Sequence, residues 1–103
     1  MAITVALLGF EPAIERGLQA LLRNETGLHL VTADESPRVL LVGALEGQQV
    51  QELHRHHPQA IILRQMSLYS KEAEGEQPWE RRFEAFQGYG HVLSLIRSCA
   101  QAS

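Results

Sequence analysis

A single cysteine, Cys99, excludes an internal disulfide, a redox pair and a thiolate zinc site within one chain. Long hydrophobic runs are missing as well. The longest, such as Val39 to Val42, are far too short to span a bilayer, and residues 1–10 lack the basic start and long apolar stretch of a signal peptide. The expected location is therefore the cytoplasm. There is no excess of positive charge: the net charge is -3 and the pI is near 5.9, so nothing electrostatic favours nucleic acid. The basic residues are scattered, and the one adjacent pair, Arg81-Arg82, is flanked by Glu80 and Glu84. Catalytic signatures are missing too, since Ser67, Ser70, Ser94 and Ser98 stand in no nucleophile elbow. The chain is not expected to be an enzyme or to carry a cofactor.

What is present suits one small domain over residues 1–103, long enough for a single core. Val5 to Leu8 is a continuous apolar run, the pattern of a strand covered on both faces of a parallel sheet. Pro12 suits the first position of a helix, whose stripe is Ile14, Leu18, Leu21 and Leu22 and whose end is marked by Gly27. Leu28 to Val31 reads as a second strand, Thr32 to Pro37 as a polar turn, and Arg38 to Gly43 as a third strand. Gly47 to His57 reads as a helix stopped by Pro58, and Ala60 to Leu63 as a fourth strand. Ser67 to Trp79 reads as a mobile loop or poorly formed helix, and Glu80 to Phe86 as helix or edge strand. Val92, Leu95, Ile96 and Cys99 form the face of a closing helix. This order predicts an α/β domain with a largely parallel sheet.

The segment from Ile3 to Val31 resembles the opening of a bacterial response-regulator receiver domain of the NarL/FixJ type. The matching features are Val5 to Leu8, Pro12, Gly17, Leu21-Leu22 and Leu28 to Val31, joined further on by His57-Pro58 before the run AIIL. The resemblance implies a flavodoxin-like (CheY-like) three-layer sandwich, here shortened, because Thr32 to Pro37 leaves no room for that family's second helix. It also implies where phosphorylation chemistry belongs. Gly9 and Phe10 stand where the magnesium-binding acidic pair would be, with Glu11 displaced, and Gly43 occupies the phosphoacceptor position. Were AIIL the third strand, Arg64 would fall there instead; as the fourth strand it puts Arg64 at the hydroxyl position. No lysine follows Lys71. Aspartyl phosphorylation needs a carboxylate nucleophile and a hard cation held by oxygens. The chain reads as a pseudo-receiver without a phosphoacceptor.

Function is then expected from contact: a phosphorylation-independent interaction module of a bacterial signalling or transcription-control system, working as a homodimer or on a regulatory protein. Trp79, Phe83, Phe86 and Tyr89, interleaved with Arg82, are the candidate interface, since aromatics with arginine favour such surfaces. The same rings can equally complete the core. The alternative is a small-ligand sensor at the carboxyl edge of the sheet, with Arg64 taking an anionic group, Phe10 as an apolar wall and Glu11 beside them. A third reading joins Glu11 to the cluster His54, Arg55, His56 and His57 as a metal-assisted site. Against it, basic residues gather at helix C-termini for electrostatic reasons alone. The turn from Gly43 to Gly47 lacks a Walker lysine, and Cys99, on an apolar stripe, reads as a buried thiol.

Overall fold

A computed structural model describes residues 2–43, 45–66, 77–84 and 88–101. Among the described residues five strands are present, β1 (Ile3–Leu8), β2 (Leu28–Leu30), β3 (Val39–Val42), β4 (Ile61–Met66) and β5 (Glu80–Glu84). They form one sheet in the order β2-β1-β3-β4-β5, and every pairing is parallel. The helices are α1 (Pro12–Arg23), α2 (Gly47–His56) and α3 (Tyr89–Gln101). None of them is long and apolar enough to cross a membrane.

The unbroken apolar runs are explained by what lies on each side of the sheet. Side chains alternate across a strand, so one run feeds two cores. Val5, Leu7, Val39, Leu41 and Leu63 pack with Leu22 of α1 and Val92, Ile96 and Cys99 of α3. Ala6, Leu40, Val42 and Ile62 point the other way, onto Val50 of α2 and Ala60. All four residues of β3, at the centre, are buried.

Two local expectations need correction, and a third, left between helix and edge strand, is decided. The first helix ends at Arg23, capped by Asn24, whose side-chain amide donates to the Ala20 carbonyl at 3.1 Å. Gly27 is not its cap: with φ of +87° it shapes the turn into β2, where its carbonyl accepts from the Ile3 N–H at 2.8 Å. The α1 stripe is only partly used, because Leu22 is buried while Ile14 and Leu21 are 50% and 47% exposed. The segment from Glu80 is a strand through Glu84, which completes the sheet. The expectation for Ser67 to Trp79 falls outside the described residues as far as position 76; Gln77 to Trp79 form the turn into β5, with Glu80 N–H donating to the Gln77 carbonyl at 3.0 Å.

The connection from β2 to β3 crosses over β1 through residues 31–38 and contains only a 3-10 turn, Ala33–Glu35. Parallel strands usually need a crossover of about a dozen residues or more, because the chain must return along the strand it has climbed. Here the register removes that return. Leu30 at the end of β2 sits level with Val5, and so does Val39 at the start of β3. The chain has only to step sideways across β1. Thr32 helps to hold the step, its hydroxyl reaching the Glu35 carboxylate at 3.1 Å, and the Arg38 N–H donates to Thr4 Oγ1 at 2.9 Å.

Burial distinguishes the two neighbouring leucines of α1. Leu22→Ala is expected to destabilise the fold by about 2–5 kcal/mol, whereas Leu21→Ala costs less than about 1 kcal/mol. Urea denaturation of the two variants measures the difference, and equal losses would contradict this packing.

Candidate functional site at the carboxyl edge of the sheet

The ends of β1 and β3 meet where the strand order reverses, the usual ligand position of open parallel sheets. Here that position is closed by backbone. Gly9, with φ of +76°, turns the chain over the end of β3. A Cβ placed on Gly43 would collide with the Gly9 carbonyl oxygen, and would lie 2.9 Å from the Gly9 carbonyl carbon and 3.3 Å from a Phe10 ring carbon. A Cβ on Gly9 would in turn stand 3.0 Å from the Leu45 side chain. Both glycines are therefore required by close approach as well as, for Gly9, by its positive φ. The Gly43 N–H donates to the Leu8 carbonyl at 2.9 Å, which ties the two strand ends together.

Arg64 is not a free anion receptor. It is 2% exposed, and its guanidinium contacts Glu80 at 3.3 Å and donates to the Leu45 carbonyl at 2.8 Å. Glu80 is equally buried and also receives Arg82, with the Arg82 Nε at 3.2 Å from its carboxylate. Arg64 and Arg82 are cross-strand neighbours on β4 and β5, so the sheet register itself places both cations beside Glu80. The network binds the turn after β3 to the edge strand.

The residues proposed for an anionic ligand do not converge. Phe10 packs against the core shared with α1 and α3, whereas Arg64 lies on the α2 side with Val50 and Trp79. Glu11 occupies the N-cap position of α1, but its side chain makes no capping hydrogen bond; its backbone carbonyl accepts from the Glu15 N–H at 2.9 Å. Glu46, at the N-cap of α2, puts a carboxylate where a phosphate would need to sit, and its N–H is held by the Gln49 side chain at 3.0 Å.

The aromatic cluster divides between the two cores. Trp79 packs on the α2 side and stacks on His54, with ring centroids 4.0 Å apart and planes 5° from parallel. Phe83 is buried on the other side and Tyr89 half-buried against the same core. Arg82 is held by Glu80, and Phe86 lies outside the described residues. His54 is committed to Trp79, and the His56 ring nitrogen Nδ1 is held by the Glu52 carbonyl at 2.9 Å, so these two are separately engaged. Among the described residues no three of His, Cys, Asp or Glu are placed to hold a metal ion. Cys99 is buried, and burial pushes its thiol above the ordinary value of 9.0, against a smaller opposing effect of Arg81. A thiol held protonated is a poor nucleophile.

A cavity lies at this edge on the α2 side. Where β2 stops, level with Val5, the end of β1 loses its neighbour, and this cavity of about 500 Å³ lies between Leu8, Gly9, the 3-10 turn and α2. Neither this cavity nor the pairing of Arg64 with Glu80 was read from the sequence. The pair left a trace in the opposite charges near two strands; the cavity depends on strand register. No protein-family model matches the chain, and neither curated proteins nor solved structures give a match.

Two measurements follow from this chemistry. Glu80→Ala leaves Arg64 buried without its carboxylate and is expected to cost about 3–5 kcal/mol, while the double variant Arg64→Met, Glu80→Leu loses much less. Denaturation of the single and double variants separates the two outcomes. Burial and the Glu25 carboxylate also push the Tyr89 phenol above its ordinary 10.0. Raised folded-state values for Cys99 and Tyr89 mean that their contributions are complete at lower pH and are lost as pH climbs from about 9 through those raised values. Thermal melts from pH 8 to 11 should show falling stability, with a shallower fall in Cys99→Ala.

Proposed function

We propose that the chain is a phosphorylation-independent, receiver-like regulatory domain with a flavodoxin-like fold, acting through protein contacts in a bacterial signalling or transcription-control system. The observation that carries this reading is the closed position at Gly43. The order β2-β1-β3-β4-β5 is the one found in flavodoxin-like folds, in which ligand chemistry gathers between β1 and β3. At that place phosphoryl transfer needs a carboxylate nucleophile and oxygen ligands for a cation. The chain supplies a glycine packed under a backbone carbonyl and a phenylalanine turned into the core. The chain's single aspartate, Asp34, is exposed in the 3-10 turn.

Contact is the activity left to such a domain. The surface for it differs from the aromatic patch first considered, because Trp79 and Phe83 serve the cores. Ile14 and Leu21 stay exposed on α1 and border an apolar groove of about 180 Å³ that reaches Leu18, Phe10 and Tyr89 at the start of α3. Exposed aliphatic side chains beside a half-buried tyrosine are the composition of a docking face.

Amide NMR spectra recorded with magnesium and beryllofluoride should leave Gly9 and Gly43 unmoved, and light scattering should find a dimer that Ile14→Ser with Leu21→Ser returns to monomer. Saturable shifts at the two glycines would overturn the loss of phosphorylation. A strictly monomeric native chain would remove self-association as its mode of contact.

A further inference from the structure

We propose that the cavity between the end of β1 and α2 is a binding site for a small amphipathic amine, an apolar body carrying a protonated amino group. Its volume of about 500 Å³ falls within the range of roughly 300–1,000 Å³ typical of small-molecule sites. Its position also fits. It opens beside the carboxyl end of β1, on the α2 face of the sheet and next to the closed position between β1 and β3, at the edge where open parallel sheets take their ligands.

The lining sets the chemistry. Half-buried Leu8, Leu45 and Leu53 supply an apolar floor, with Leu45 packed over Gly9 at the end of β1. The rim comes from one face of α2, where Glu52 and His56 are four residues apart. His56 Nδ1 lies 2.9 Å from the Glu52 carbonyl oxygen, which can only accept, so the neutral ring carries its proton on Nδ1. Nε2 is then an acceptor. Among the described residues no arginine lines the cavity, and the Glu52 carboxylate has no ion-pair partner. A carboxylate and an imidazole lone pair above an apolar floor select a cationic N–H donor. They disfavour an anion, the opposite of the ligand first considered for this edge. The site is separate from the contact surface on α1 and α3, which packs on the other face of the sheet.

A matched pair of probes tests the assignment on the intact chain: tryptamine and indole-3-acetate share an aromatic body and differ in the sign of the head group. Titrations followed by amide NMR should show tryptamine shifting Gly9, Leu45 and Leu53 saturably, with indole-3-acetate at least about tenfold weaker. Glu52 is exposed, so Glu52→Gln should keep the native spectrum while weakening tryptamine roughly tenfold, the scale of one charge-assisted hydrogen bond. The proposal is overturned if tryptamine gives no saturable shift, if its shifts map to Ile14, Leu21 and Tyr89, if indole-3-acetate binds as well, or if Glu52→Gln binds tryptamine unchanged.

Discussion

The Gly9 carbonyl resting on Gly43 is the contact around which the carboxyl edge is organised. Two backbones approach more closely than any side chain allows, so the turn after β1 lies directly over the end of β3. From there the remaining contacts run outward. Phe10 is delivered to the core under α1 and α3, and Leu45 closes over Gly9. The Leu45 carbonyl takes the Arg64 guanidinium, which is held in turn by Glu80 on the edge strand. A position that could hold reactive chemistry is occupied by structure instead.

The short connection between β2 and β3, without an α-helix, has an equally simple physical basis. A crossover helix is needed when the chain must travel back along the sheet before entering the next parallel strand. β2 is only three residues long and ends level with the start of β3, so that journey disappears and a 3-10 turn suffices. The shortening leaves the upper part of β1 without a neighbour on one side. The cavity against α2 is the direct result, and it places an acceptor-rich rim beside an apolar floor at the edge of the sheet.

Much of the scaffold was legible in the sequence because it depends on local pattern. The unbroken runs Val5 to Leu8 and Val39 to Val42 specify strands buried on both faces, and Pro12 marks the start of α1. The short Thr32 to Pro37 segment correctly left no room for a helix. What could not be read depends on which residues meet. Leu21 and Leu22 are equal as sequence, yet only Leu22 faces the sheet. Phe10 stands in the turn after β1 and Arg64 within β4, and they lie on opposite faces of the sheet. Trp79 and Phe83, four residues apart, are likewise divided between the two cores by the turn and strand that carry them. Arg64 looked like a free cation because its partner, Glu80, lies sixteen residues away on the neighbouring strand.

The closed edge is tested most directly by adding one methyl group and measuring stability. Gly43→Ala should destabilise the chain by about 3 kcal/mol or more, since the Gly9 backbone cannot withdraw without unseating Phe10 and Leu45. Gly17→Ala, on the exposed side of α1 with open space around it, is the control and should stabilise by about 0.5–1 kcal/mol. Urea denaturation of the two variants beside the native chain gives both numbers. A Gly43→Ala variant within about 1 kcal/mol of native would show that the end of β3 has room for a side chain, and would contradict the account.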